Sequence, residues 1–361
     1  MASYLYGIVP SQGPKDFGPV GLDGSTVRVV CEGGIGIVAG EARRIAFSRI
    51  APEKTLQYLA QHQRVLEQVM RDSPVIPLKF GTYADDDGQI LRIIRQGGRE
   101  FAAALEEFGP KVEVDLSACW TDLTSVLTEI AGDAAIAAAK AQLADRPATM
   151  QQRAGVGRLV KKLLDERRDQ VASRLEAALR AVCAKVIVNP AKDDTTILNA
   201  AVLIGRTEQA RLESVLDQLD HSHQGRLHIR CIGPLPAYSF AMAEIQLLDA
   251  DALNAARQAL QLGQSASLAE IKAAHRRLLQ ELHPDRNSDD QAAGRLQDVT
   301  EGYKILEEYA LNVRHNFGGR DGAVIVKVRS LEDLRAAVRT RATASHATSS
   351  QSAPVEAVEA A

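Results

Sequence analysis

At 361 residues the chain is too long for one ordinary core and about right for two or three domains. Hydrophobic residues at 45%, charged residues at 25% and a formal net charge of −3 describe an ordinary globular protein and argue against one built to coat nucleic acid. No run of about 20 apolar residues is present to span a membrane, and MASYLYGIVPSQG has neither a basic start nor a sustained apolar stretch, so neither a spanning helix nor a signal peptide is expected.

In chain order, Tyr4–Val9 reads as a strand stopped by Pro10. A Gly/Pro-rich connection follows through Gly24. The β-branched runs Thr26–Cys31 and Ile35–Ala39 flank Glu32-Gly33-Gly34, a hairpin pattern. Pro52 suits a first helical position, and Leu56, Leu59, Gln63, Leu66 and Met70 are expected to line one side of the helix it opens. Val75–Phe80 is a short apolar strand whose Pro77 marks an edge or bulge. Asp85, Asp86 and Asp87 put acid at the start of a helix from about Gln89 to Phe108, interrupted at Gly97-Gly98. Lys111–Leu116 alternates as a strand.

Residues 121–185 turn helical, with a break near Asp145–Pro147, and suit a helical hairpin whose apolar stripe is Leu159, Leu163, Ala172, Leu175 and Leu179. A second strand–helix–strand set follows Pro190: Thr196–Ile204, Glu208–Leu219 and Arg226–Ile232. Gly233-Pro234-Leu235-Pro236-Ala237-Tyr238-Ser239-Phe240 then leads into a strand ending at Leu247. Helical pattern returns at Asp249–Leu262 and runs to about Ala310; Ala323–Val328 is one more strand and Leu331–Arg339 a short helix. From Arg341 the chain has no periodicity, the composition of a disordered tail. The fold class is therefore α+β, with two ferredoxin-like lobes (1–120, and a second within 121–248), a helical hairpin between them, an all-α module at 249–310 and an extension at 311–340.

Within that module, Ile271, His275, Leu278 and Leu282 fall on one helix stripe, Pro284 forces a turn, and Ala292, Leu296, Val299, Tyr303 and Leu306 repeat at helical spacing. His283 and Asp285 stand at the tip of this helix pair, and Lys272, Arg276 and Arg277 add positive charge on the first helix. Leu262-Gly263, Glu270-Ile271-Lys272, Arg276-Arg277-Leu278, His283-Pro284-Asp285-Arg286-Asn287 and the second-helix ladder together resemble the J-domain of DnaJ-type co-chaperones. Two features depart from that pattern: the loop after Gly263 is short, and His275 stands where an aromatic core residue is expected. The resemblance implies that His283, Pro284 and Asp285 dock on a DnaK-type ATPase, with Lys272, Arg276 and Arg277 meeting an acidic surface of that partner.

The first 250 residues resemble the GvpF/GvpL family of gas-vesicle proteins. The resemblance rests on Tyr6-Gly7-Ile8-Val9, Val75-Ile76-Pro77-Leu78-Lys79-Phe80-Gly81-Thr82, Leu198-Asn199-Ala200-Ala201-Val202-Leu203 and the Gly233–Phe240 element. It implies a minor gas-vesicle component, cytoplasmic and vesicle-associated, that holds the small apolar shell protein in solution and helps nucleate the shell beside other gas-vesicle proteins. It brings no catalytic residue and no cofactor, and no enzyme activity is expected. A general J-domain co-chaperone with other clients is the alternative, to be separated by whether a gene for an apolar shell protein lies next door.

Five other patterns take simpler readings. His221, His223 and His228 lack a nearby cysteine or carboxylate pair and read as a solvated turn rather than zinc ligands. Gly34-Ile35-Gly36 lies in a hairpin, not between a strand and a helix as a dinucleotide loop requires. Asp85–Asp87 reads as a helix start rather than a cation site. Lys140, Lys161 and Lys162 have no interleaved aromatics for nucleic acid. Cys31, Cys119, Cys183 and Cys231 are too dispersed for a disulfide framework or a CxxC pair.

Overall fold

The structure, a computed structural model, describes residues 2–142, 149–282, 292–312 and 323–336. Its described residues form two compact units, one from within 1–109 and 241–329, the other from within 110–240 together with 330–336. The α+β class is as expected.

The first unit holds an antiparallel sheet built from β1 (Ala2–Pro10), β2 (Asp16–Gly18), β3 (Val27–Glu32), β4 (Ile35–Ala42), β5 (Ile76–Pro77) and β6 (Tyr83–Ala84). The order is β2-β3-β4-β1-β5, with β6 also on β1. Of the expected strand Val75–Phe80, only Ile76–Pro77 joins the ladder, at the edge where a proline is tolerated. The β3–β4 hairpin turns at Gly33 and Gly34, both at positive φ (60° and 86°). β1 is buried from Ser3 to Val9 without alternation, the pattern of a strand covered on both faces.

Helix α1 (Pro52–Asp72) packs on β1. A Cβ at Gly7 would come within 2.7 Å of the Leu66 side chain, so glycine permits this close approach. The expected stripe is only half right. Leu66 and Met70 are buried, but Leu56 and Leu59 are 64% and 42% exposed. The core face is Tyr58, His62, Val65, Leu66, Val69 and Met70, rotated by the aromatic and imidazole rings that pack against Tyr4, Tyr6 and Phe47.

Helix α2 (Asp87–Phe108) is capped by Asp86, whose carboxylate accepts from Gln89 N–H, and it runs through Gly97-Gly98 without the expected interruption. The glycine serves packing. A Cβ at Gly97 would lie 2.6 Å from a methyl of Val326 on β12 (Ala323–Arg329). β12 pairs with β11 (Met242–Leu248) from Met242↔Arg329 to Leu248↔Ala323, and β11 bridges back to Leu78 through Ala243. Between these two strands the chain forms α7 (Ala250–Ala259), α8 (Leu268–Glu281) and α9 (Ala292–Asn312).

The second unit is an antiparallel sheet of order β10-β7-β9-β8, made of β7 (Lys111–Trp120), β8 (Lys185–Asn189), β9 (Thr196–Gly205) and β10 (Leu227–Leu235). β8 begins at Lys185, where the helical region was expected to end, and was not among the expected strands; Val186 and Ile187 bury against β9. In place of a two-helix hairpin there are α3 (Leu123–Ala131), α4 (Ala134–Ala141) and α5 (Met150–Val182). The break expected at 145–147 lies outside the described residues. α5 starts with a Thr149/Gln152 capping box and buries Leu164, Val171, Leu175 and Leu179; Leu159, Leu163 and Ala172 of the expected stripe are only half-buried. α6 (Gln209–Ser222) covers the sheet through Leu212 and Leu216. A helix at 331–336 follows β12, and the tail expected from 341 lies outside the described residues.

The candidate docking module and the Ser239 anchor

Helix α8 starts with a capping box: Ser267 N–H donates to Glu270 Oε2 at 2.7 Å, and Glu270 N–H donates back to Ser267 Oγ at 3.3 Å. It buries Ile271, Ala274 and Leu278 against α7 and α9, leaving Arg276 and Arg277 exposed and Lys272 half-buried. Lys272 lies 3.5 Å from the Glu307 carboxylate, and Arg277 donates to Gln261 Oε1 at 3.1 Å. The three cations expected to steer a partner thus share α8, with Arg276 and Arg277 open to solvent. His283, Pro284 and Asp285 lie outside the described residues.

His275 does the packing work of the missing aromatic. Its ring stacks on Tyr303 at 3.9 Å between centroids and 8° between planes. The Tyr303 hydroxyl donates to Glu307 Oε1 at 2.5 Å; burial, reinforced by that carboxylate, pushes the phenol up to about 12. Burial lowers the His275 pKa, with Glu307 opposing, so the ring favours its neutral form in the stack. Gly302 lets α9 approach α7; a Cβ there would be 3.1 Å from Ala256 backbone atoms.

In the second unit, the Gly233–Phe240 element is held by a residue that pattern reading missed. Glu113 on β7 is 3% exposed, and its two carboxylate oxygens accept from Ser239 N–H and Oγ, both at 2.7 Å. Burial pushes Glu113 up to about 7 despite these donors. Ser239 C=O accepts from Leu331 N–H at 2.8 Å, and Arg335 donates to Asn189 Oδ1 at 2.7 Å, fixing the 331–336 helix. Glu113 falls on the polar side of an alternating strand, with Asp115 and Ser117, so the local pattern did not mark it.

The other residues singled out in the sequence have local partners. Asp85 pairs with Arg44, Asp86 caps α2 and Asp87 pairs with Arg28, so each carboxylate is engaged. His221 and His223 each place Nδ1 2.7 Å from a backbone carbonyl of their own helix, at Asp217 and Leu219. Among the described residues no three His, Cys, Asp or Glu side chains converge on a metal position. Lys161 pairs with Asp165 and Asp194, the behaviour of a solvated face. No described helix is long and apolar enough to cross a membrane.

Residues 258–311, which hold α8 with its exposed Arg276 and Arg277 and most of α9, match the DnaJ domain. The chain belongs to the gas vesicle synthesis protein GvpL/GvpF family, whose sequence model matches residues 2–242. Gas vesicle protein F of a Streptomyces sp. is 25% identical over 245 residues, 66% of this chain and 99% of that one. Gas vesicle protein F of a Nostoc sp. is 22% identical over 241 residues, 66% and 97% of the two chains. The crystal structure of GvpF from Anabaena sp. superposes with a TM-score of 0.57 at 22% identity, covering 66% of this chain and 97% of that one, a likeness of fold. In the helical module, DnaJ homolog subfamily B member 11 of Rattus norvegicus is 41% identical over 59 residues, 16% of each chain.

Proposed function

We propose that this chain assists gas-vesicle assembly: its first 250 residues hold the apolar shell protein in solution and help nucleate the shell, while the helical module recruits a DnaK-type chaperone to that client. The observation that carries the reading is the union, in one chain, of a GvpL/GvpF match over 2–242 and a DnaJ match over 258–311. Both activities are binding events, so the reading gives the chain no catalysis and no cofactor, and it places the protein in the cytoplasm and at the vesicle among other gas-vesicle proteins. The exposed Arg276 and Arg277 support a charge-steered encounter with an acidic partner.

Two measurements test it. Turbidity of the shell protein should fall when the full chain is added in excess; unchanged aggregation sinks the client half. Steady-state ATPase of a DnaK-type chaperone should rise with the parent chain and not with His283→Gln, since loss of one hot-spot group costs about 2 kcal/mol or more of binding. Equal stimulation by both sinks the chaperone half.

A further inference from the structure

Residues 243–257 and 312–329 lie between or beyond the two family matches, yet they contain nearly all of β11 and the whole of β12. The chain enters the helical module directly from β11: one residue, Asp249, separates the strand from α7 and caps that helix by accepting from Ala252 N–H at 2.6 Å. After α9 it returns to pair with β11 along the full length of β12.

The returning strand packs two ways. On one side, Ala323 and Ile325 join Leu248 in a single core with Leu253, Leu260, Ile271, Leu306 and Tyr309 of the helices. On the other, Val324 N–H donates to Gln96 Oε1 of α2 at 2.8 Å, and Val326 fills the space that glycine leaves at position 97. Two ion pairs add to these contacts: Lys327 pairs with Glu308 of α9, and its cross-strand partner Glu244 of β11 pairs with Lys79 at 2.6 Å. A module hung on a flexible linker would need neither the returning strand nor the glycine in α2.

We propose that the β11–β12 hairpin is a mechanical coupler that joins α7–α9 and α2 into one cooperative element, so that loosening or stabilising either end is felt at the other. Coupling free energies are reciprocal, so the effect must run both ways. The proposal stands on packing alone and does not depend on the client or the chaperone.

Hydrogen exchange of the full chain tests it. Gly97→Leu forces Val326 outward, and Gly97 has Val326 and Phe101 as its nearest side-chain neighbours. We expect this variant to speed exchange by at least about fivefold in α8 and α9, the low end of overpacking strain. Gln96→Ala, which removes one hydrogen bond and leaves the packing intact, should shift the same peptides in the same direction by less. Conversely, Gly302→Leu at the α7–α9 crossing should speed exchange in α2. If Gly97→Leu and Gln96→Ala loosen α2 and β12 while α8 and α9 keep the parent rate, the module opens by itself and the coupling is refuted. Should Gly97→Leu fail to fold, Gln96→Ala and Gly302→Leu still decide.

Discussion

Burial pulls the His62 imidazole down to about 4, while the Tyr4 hydroxyl lies 3.0 Å from its Nδ1. The unfolded chain, with an ordinary histidine near 6.5, binds the extra proton between those values, so stability falls as pH drops from about 6.5 to about 4, by roughly 3 kcal/mol from this group. Glu113 acts with the opposite sign. Its folded pKa of about 7 lies above the ordinary 4.5, so its contribution is full below about 4.5 and is lost as pH rises through about 7. Urea midpoints from pH 4 to 8 should therefore show an acid limb that His62→Leu flattens and a neutral limb that Glu113→Gln flattens. Glutamine can still accept from Ser239 N–H and donate to its hydroxyl. A parent profile unchanged by Glu113→Gln would mean that Glu113 titrates normally. Neither residue was legible as a site: His62 meets Tyr4 across 58 positions and Glu113 meets Ser239 across 126, and no local spacing encodes such pairs.

Helix α8 shows what local pattern does encode. The apolar stripe and the cations of α8 were readable, because each depends on residues within a turn or two; the Ser267/Glu270 capping box is equally local but was not read from the sequence. Lys272→Glu combined with Arg276→Glu should slow association with a DnaK-type partner and make the residual ATPase stimulation less salt-dependent, as measured from 50 to 300 mM salt, a range around the screening regime of about 0.1 M. An unchanged rate and salt slope would show that these charges do not steer. His275→Ala should cost about 1–2 kcal/mol through loss of the Tyr303 stack, read as a lowered melting midpoint of the module. Helix faces were less legible than helices. The α1 stripe came out rotated because Tyr58 and His62, weak hydrophobes by composition, win the core through aromatic partners. The Gly97-Gly98 pair looked like a break because single-sequence reading cannot see the strand that needs the space.

On the scale of the whole chain, the element order was largely readable but the pairing was not. β11 sits next to β10 in sequence, yet its ladder partner is β12, on the far side of three helices. That pairing makes the module an insertion between two adjacent strands. Replacing residues 249–322 with an Asn-Gly turn should therefore leave a folded protein, because Leu248 and Ala323 are already cross-strand partners. Its melting midpoint should drop, since Leu248, Ala323 and Ile325 lose the helices they bury against, and chaperone stimulation should vanish. Absence of a cooperative melt would show that the hairpin cannot stand without the helices.

The returning strand also sets an order of events during synthesis. Val324 meets Gln96 across 228 positions, so α2 leaves the ribosome long before the strand that covers it. The four strands of the second unit are complete by Leu235, while the first unit still lacks its last piece. Such a discontinuous unit keeps apolar surface open while the chain grows. The helices that by resemblance summon a chaperone are finished at Asn312, just before β12 emerges. On the proposed function, a nascent chain thus carries its own recruiting module during the interval when its body is still open. Ribosome-bound chains halted after residue 312 should be cut by protease in α2 far faster than chains halted well beyond residue 336, and equal protection would show that α2 is covered without β12.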